Sequence, residues 1–229
     1  MLIAEDLLLL TYDDAAGTPD AWVTNLDYRL GGALLLELAL AGRVDVAGPG
    51  TTTAAGSAAR AGTVVVVDPS PTGHPVLDGA LAVVGHRARK PKNLVAPLSK
   101  GVRRSLLAGL AEQRVLRREE GRVLGIFPRT TWPAADSSHE LALRAECEAV
   151  LLGSRQPRPE TAGLLAVAQG TSLVKRLVPR ERRREAEARA KQLVRSSWAH
   201  EAVKKAVDEI NAAVMTAVII PATVGSSGT

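Results

Sequence analysis

The first apolar stretch of the chain predicts a helix. Residues 2–11 are apolar apart from two adjacent acids, Glu5 and Asp6, and a closing threonine. Acids in a first turn interact favourably with the positive end of a helix dipole. A segment rich in Asp, Gly and Ala follows at 13–20 and predicts a turn.

A second, longer apolar run at 25–43 predicts a buried helix, because it is apolar on nearly every side. Asn25 is expected to cap its start and Gly42 to mark its end. The adjacent glycines Gly31 and Gly32 indicate a close approach of another helix rather than a ligand cradle.

The next part of the chain alternates valine-rich runs with small polar residues. Residues 44–46 and 63–67 predict two short strands, joined by a flexible loop over 49–62. Residues 77–86 predict a helix, and a basic linker broken by Pro91 follows it.

An amphipathic pattern predicts the helix after this linker. Ser99 is expected to cap it, and Val102, Leu106 and Leu110 form its core stripe at i, i+4 and i+8. The helix leads into a predicted β-hairpin with its turn at Glu120-Gly121.

Beyond Pro133 the pattern is helical again. The expected helices lie at about 137–152, 159–169, 180–196 and 198–219. Residues 221–229 predict a disordered tail. The sequence therefore predicts a mainly α fold: a single globular helical domain over 1–220 with a few short strands and one β-hairpin.

Composition is that of a globular protein without internal cross-links. Hydrophobic residues make up 46% of the chain and charged residues 23%, whereas aromatics make up only 3%. The excess of Arg over Lys and the abundant Ala favour a GC-rich bacterial gene. The single cysteine, Cys147, excludes an internal disulfide and is expected to be a small buried residue.

Motifs of catalysis are absent from the sequence. The four histidines are scattered, with no partner at metal-ligand spacing. The sequence also lacks a G-x-x-x-x-G-K-[ST] phosphate loop, a G-x-G-x-x-G turn and a G-x-S-x-G elbow. We therefore expect a protein that is not an enzyme and that needs no metal or other cofactor.

Targeting and membrane-spanning patterns are also missing. Glu5 and Asp6 stand where a secretory signal would carry positive charge. The weakly polar run near 210–225 is broken by Pro221 and is too short to span a membrane. We expect a cytoplasmic protein whose contact with a membrane is peripheral.

Charge is segregated along the chain. Residues 1–46 hold two arginines against eight acids, whereas residues 87–122 hold eleven basic residues against three glutamates. Such segregation creates a local field that attracts anions. A second basic excess at 175–195 is typical of a solvated helix face with Glu/Arg pairs.

Three cations crowd the predicted start of the helix after Ser99: Lys100, Arg103 and Arg104. Cations are unfavourable there, because they add to the positive end of the dipole. A bound anion would relieve this repulsion and use the free backbone N–H groups. Spaced at i, i+3 and i+4, the three side chains can converge on one ligand, so the pattern predicts a phosphate site.

Four segments in this order and spacing resemble the Golgi phosphoprotein 3 family from about Leu2 to Ile220. They are LIAEDLLLLTYDDAAG, LLELALAGRV, VRRSLLAGLAEQRVL and FPRTTWP. The composition suggests a bacterial member. The resemblance implies a mostly helical domain that binds phosphatidylinositol 4-phosphate at a membrane surface.

The resemblance also implies the residues of a lipid site. The family's pocket uses a tryptophan, an arginine nine residues later and two arginines three apart in the basic helix. Trp22 matches the tryptophan, and Lys100 and Arg103 match the pair. Gly31 stands at the remaining position, with Arg29 close in sequence. The predicted head-group site is Trp22, Lys100, Arg103 and Arg104.

The hairpin of this family is linked to membrane insertion and self-association. The apolar stretch here is short, so we expect attraction to acidic lipid rather than deep insertion. The predicted membrane-facing residues are Arg117, Arg118, Arg122, Leu124, Ile126 and Phe127. The expected partners are an anionic phospholipid surface, the cytoplasmic tails of membrane proteins and a second copy of the chain bound through the hairpin.

Two other functions stay open on the sequence. A basic helix followed by a charged hairpin also fits a winged-helix nucleic-acid-binding protein, although no Asn or Gln accompanies the cations for base reading. The second open function is that of a purely structural protein that binds a partner and uses its charge for solubility. The favoured hypothesis is a non-enzymatic peripheral membrane adaptor that binds an anionic phosphoinositide head group, with no nucleic acid expected.

Overall fold

The computed structural model describes residues 1–20, 23–53, 56–123, 126–195 and 204–219. In these ranges the chain forms ten α-helices and two separate antiparallel strand pairs. The helices are α1 (Ile3–Thr11), α2 (Leu26–Leu40), α3 (Pro75–His86), α4 (Val95–Ser99), α5 (Val102–Glu112), α6 (Ser138–Leu151), α7 (Pro159–Ala168), α8 (Leu173–Arg176), α9 (Arg183–Arg195) and α10 (Lys204–Ile219). The strands are β1 (Val44–Val46), β2 (Val64–Val66), β3 (Glu119–Val123) and β4 (Phe127–Thr131). The prediction of a mainly α fold with a few short strands and one hairpin is confirmed.

Helix α2 lies at the centre of the core, with α1, α4, α7 and α10 packed around it. All of its leucines except the partly buried Leu40 are buried, which explains why the sequence shows no polar face. A Cβ on Gly31 would lie 2.7 Å from the carbonyl oxygen of Val95 and 2.9 Å from the backbone nitrogen of Ser99. The predicted close helix approach is therefore confirmed at Gly31, where α4 packs against α2.

The start of α5 differs from the prediction. Ser99 is the last residue of α4, and its hydroxyl donates to the carbonyl oxygen of Ala96 at 2.8 Å. Gly101, with a φ of +70°, turns the chain before α5 begins at Val102. The prediction that Ser99 caps this helix is therefore wrong, because residues 95–99 form a separate helical turn. The predicted stripe of Val102, Leu106 and Leu110 is confirmed as buried.

The hairpin turn also lies elsewhere than predicted. Gly121 sits inside β3, opposite Arg129, and the strands end at the Val123–Phe127 pair. At the root, buried Leu116 bridges Ala134 in the same register. This register keeps the strands paired as far as Val123 and Phe127, so the chain does not reverse direction at residues 120–121. The predicted turn at Glu120-Gly121 is therefore wrong.

The remaining helices follow the pattern closely, with short 3₁₀ turns before α4 (Pro91–Asn93) and α9 (Arg180–Arg182). Cys147 is fully buried in α6, as predicted, and burial raises the pKa of its thiol to about 12. Residues 198–203 of the last predicted helix and the predicted tail at 221–229 lie outside the described residues.

Candidate functional site

Four elements meet at a cleft of about 620 Å³. They are the end of α1, the start of α2, the start of α5 and the root of the β3–β4 hairpin. The polar and aromatic side chains that line the cleft include Tyr12, Asp27, Arg103, Arg104, Arg118 and Trp132. Of the described lining residues three are arginines and one is an aspartate, so the cleft carries net positive charge and suits an anion.

Helix α5 brings two of the arginines to the cleft, because Arg103 and Arg104 lie in its first turn. This turn holds no acidic residue, and Gly101 directly before it also lines the cleft. The backbone N–H groups of a first turn have no partner within the helix and add to the positive potential. The two predicted arginines therefore lie together beside a helix N-terminus.

Arg103 already contacts a carboxylate in this structure. Its Nε donates to Oδ1 of Asp27, in the first turn of α2, at 2.8 Å. The side chains are 32% and 48% exposed, so solvent screens the pair. Buried Tyr12 lies beside Arg103, and its pKa is raised by burial, with Arg103 partly opposing the rise. The protonated phenol can donate a hydrogen bond to an anionic ligand.

The opposite wall of the cleft comes from the hairpin root. The Arg118 guanidinium carbon lies 6.0 Å from the centroid of the Trp132 ring, at the outer limit of a cation–π contact. Arg118 also donates to a carboxylate oxygen of Glu120 at 2.7 Å. Its side chain is 59% exposed and available to a ligand in the cleft.

Lys100 does not join these arginines. It precedes the turn at Gly101 and lines a second cavity of about 620 Å³ between α3 and α5, together with residues such as His74 and Glu112. The predicted convergence of Lys100, Arg103 and Arg104 from one helix therefore holds for the two arginines only, because Lys100 lies outside α5.

Trp22, the first of the predicted head-group residues, lies outside the described residues. At the position nine residues later, Gly31 packs against the α4 backbone and leaves no room for a side chain.

Arg29, which lies close to Gly31 in the sequence, is also not in the cleft. It is buried, and its Nη1 donates to the carbonyl oxygens of Val167 at 2.5 Å and Gln169 at 2.9 Å. Arg29 therefore caps the end of α7, and burial lowers its pKa to about 10.

The hairpin projects from the cleft and ends in apolar side chains. Ile126 and Phe127 are 73% and 62% exposed at its tip. At about 3.4 Å per residue, its strands place this tip roughly 15 Å from the root. Arg117 and Arg122 are exposed along it, whereas the predicted Leu124 lies outside the described residues.

Four features of the cleft were missed by reasoning from the sequence: Tyr12, Asp27, Trp132 and the position of Arg118 at the head-group site rather than only on the hairpin. The sequence does contain one signal for the two aromatic residues, because aromatics make up only 3% of the chain. Tyr12 directly follows the first apolar helix, and Trp132 directly follows the hairpin, so two of the few aromatics flank the elements that meet here.

Within the described ranges, no group of three or more His, Cys, Asp or Glu side chains is placed to hold a metal ion. In the same part of the chain, no helix is long and apolar enough to cross a membrane.

A model of the Golgi phosphoprotein 3 (GPP34) family matches residues 3–210. The match includes the central helices, the cleft and the hairpin, and the chain therefore belongs to this family. Vacuolar protein sorting-associated protein 74 of the fungus Eremothecium gossypii is 28% identical over 168 residues, which cover 66% of this chain and 49% of that protein. The chain thus spans about half the length of this curated relative.

Proposed function

We propose that the protein is a non-enzymatic peripheral membrane adaptor of the cytoplasm, and that its cleft binds the phosphorylated head group of a phosphoinositide. The observation that carries this proposal is the arrangement of Arg103, Arg104 and Arg118, from two separate elements, around one cleft. A phosphomonoester carries a charge of about −1.5 to −2 at neutral pH, and arginine can hold it through two parallel hydrogen bonds.

The position of the hairpin supports a membrane as the source of this head group. With a lipid head group in the cleft at the hairpin root, exposed Ile126 and Phe127 at the tip can reach the membrane interface. The basic side chains of Arg117 and Arg122 add attraction to acidic lipid, at about 1 kcal/mol for each cation near the surface. Cleft and hairpin would then contact the same bilayer.

Flotation with vesicles of phosphatidylcholine containing phosphatidylinositol 4-phosphate tests the proposal. We expect Arg103→Glu to weaken binding at least about tenfold, because it replaces a phosphate ligand with a repelling charge. Arg60→Glu makes the same charge change in the loop between β1 and β2, outside the cleft, and should bind almost as well as the unmodified protein. Full binding by Arg103→Glu would refute the proposed site.

Two further variants test the residues that the family resemblance implies. Trp22→Ala is expected to weaken binding to the same vesicles. Lys100→Glu separates two hypotheses: a loss as large as that of Arg103→Glu supports the family-based assignment, whereas a small loss fits its position in the second cavity.

We also propose two protein partners, a second copy of the chain and the cytoplasmic tails of membrane proteins. Self-association through the hairpin is tested by measuring the molar mass in solution with and without Phe127→Asp. Binding of cytoplasmic tails is tested with peptides from membrane proteins of the same organism.

No observation in the described residues favours the nucleic-acid alternative. In α5, Leu106, Leu107 and Leu110 are buried in the core. A gel-shift titration over salt, showing no selective complex, would dismiss it.

A further inference from the structure

Inside the cleft, Arg103 is held by a carboxylate of the same chain. Its Nε donates to Oδ1 of Asp27 at 2.8 Å, and both residues line the cleft. Asp27 lies in the first turn of α2, where a carboxylate interacts favourably with the helix dipole. Because α2 is the central helix of the core, a rigid element rather than a loop carries this carboxylate to the arginine.

An anion can approach Arg103 in two ways, and Asp27 opposes both. A guanidinium offers one pair of parallel N–H groups that includes Nε–H and another pair on its two terminal nitrogens. A ligand on the first pair must break the bond to Asp27 and take its place. A ligand on the second pair leaves that bond intact, but it then lies close to the carboxylate and is repelled by it.

This opposition does not depend on the identity of the anion. Releasing Arg103 from Asp27 costs the same free energy for every ligand, and the repulsion that remains increases with the charge of the ligand. The carboxylate therefore lowers the affinity of the cleft as a whole. Because the two side chains are 32% and 48% exposed, solvent screens the pair, and the effect is a moderate one that a ligand can overcome.

We infer that Asp27 is an autoinhibitory residue, whose ion pair with Arg103 competes with every anion that enters the cleft and keeps the affinity of the site low. The inference concerns the regulation of this site and rests on its proposed function. A weak head-group contact alone does not hold a protein at a membrane, because stable anchoring commonly takes two contacts. The ion pair thus makes attachment depend on the hairpin tip as well as on the cleft.

Flotation of Asp27→Asn with phosphatidylcholine vesicles containing phosphatidylinositol 4-phosphate tests the inference. Asparagine keeps the shape of the side chain and removes its charge, and the half-exposed position accommodates the amide without a change in the fold. We expect binding about threefold tighter than that of the unmodified protein, as for the loss of a competing ion pair at an exposed site. A thermal melt checks that the variant folds.

Asp45→Asn is the matched control, because it makes the same charge change at an exposed position on β1, outside the cleft. It should bind these vesicles like the unmodified protein. An equal gain for both variants would mean that a change in net charge alone strengthens the attraction to the vesicle, and it would overturn the inference.

The same substitution in two further backgrounds shows whether Asp27 acts through Arg103. In Arg103→Gln no ion pair is left to release, so Asp27→Asn should tighten binding less than about 1.5-fold. In Arg104→Gln the contact between Asp27 and Arg103 is intact, so the full gain of about threefold should remain. Equal gains in the two backgrounds would show that Asp27 repels the ligand only through space, and the inference would be wrong.

The outcomes separate this inference from the proposed function. If folded Asp27→Asn binds no more tightly than the unmodified protein, or binds more weakly, Asp27 orients Arg103 instead of competing for it. The inference is then overturned, and the cleft remains a binding site. If the unmodified protein does not bind the vesicles, the proposed function fails, and the inference fails with it.

Discussion

The backbone N–H of Trp132 donates to the carbonyl oxygen of Gly17 at 2.8 Å, and this bond joins the two segments that carry the aromatic residues of the cleft. The turn around Gly17 follows Tyr12 at the end of α1, whereas Trp132 follows β4. Gly17 has a φ of +62°, and a Cβ there would lie 2.3 Å from the backbone nitrogen of Pro133. Glycine is therefore required at this position both by its backbone conformation and by the lack of space.

Gly17→Ala should lower the free energy of unfolding by about 2 kcal/mol or more, because a positive φ and a backbone clash combine. It should also weaken vesicle binding, since the shift moves Trp132 and the hairpin root. Urea denaturation and flotation measure the two effects.

Gly153→Ala is the control for this substitution. Gly153 has a similar φ of +77° but open space around its Cβ position. It should cost only about 1 kcal/mol and leave binding unchanged. An equal loss for both variants would mean that contact with Pro133 and Trp132 adds nothing.

The helices of this protein could be predicted because their signals are local. The core stripe of α5 and the uniformly apolar α2 are each set by residues within one segment. The start of α5 could not be predicted, because Ser99 ends the separate turn of α4, which packs against Gly31 of a helix distant in the sequence. The hairpin register could not be predicted either, because it is fixed by the distant pair of Leu116 and Ala134.

The candidate site could be predicted only in part, for a similar reason. Arg103 and Arg104 were found because their position in a first turn is a local feature. Asp27 and Trp132 reach the same cleft from elements far away in the sequence, so no spacing reveals them. The burial of Arg29 at the end of α7 also depends on residues far away in the sequence, so its charge alone does not reveal it.

An arginine introduced at Gly31, the position where the resemblance implies a lipid ligand, should not restore a binding site. A Cβ there would lie within 3 Å of two α4 backbone atoms, so Gly31→Arg would force α4 away from α2. We expect a loss of at least about 3 kcal/mol in the free energy of unfolding, measured by urea denaturation.

Gly79→Ala provides the comparison, because Gly79 lies in α3 with open space around its Cβ position. It should be neutral or stabilising by up to about 1 kcal/mol. A folded Gly31→Arg variant with tighter lipid binding would show that α2 and α4 can separate at this point.

Glu140, at the start of α6, should make the protein less stable as pH rises. Burial, and then a hydrogen bond with Asp14, raise the pKa of Glu140 from 4.5 to about 7, although Arg144 opposes the rise. Between these two values the native state binds more protons than the unfolded state, so the free energy of unfolding falls as pH rises through this interval. The contribution is at most about 3 kcal/mol.

Urea denaturation at pH 5 and pH 8 measures this effect, with Glu140→Gln as the comparison. The amide cannot ionise, so the variant should lose less stability between the two pH values than the unmodified protein. Burial also raises the pKa values of Asp6 and Glu37, and both proteins keep these two groups, so the difference between the proteins reports on Glu140 alone. Identical pH dependence in both proteins would show that Glu140 does not titrate in this range.

The exposed tip of the hairpin should contribute to membrane binding without contributing to the stability of the fold. Ile126 and Phe127 are largely exposed, so Ile126→Asp and Phe127→Asp should leave the free energy of unfolding within about 0.5 kcal/mol of its original value. Each should weaken vesicle binding about tenfold, because an apolar side chain no longer leaves water and a negative charge approaches acidic lipid.

Val67→Asp is the control for the tip, since Val67 is 50% exposed just after β2, away from the hairpin. It should bind vesicles like the unmodified protein. A soluble phosphomonoester should compete equally well for all these variants, because the cleft lies about 15 Å from the tip. If the tip variants instead lost binding to the soluble competitor, the hairpin would act by shaping the cleft, and the membrane contact assigned to Ile126 and Phe127 would be wrong.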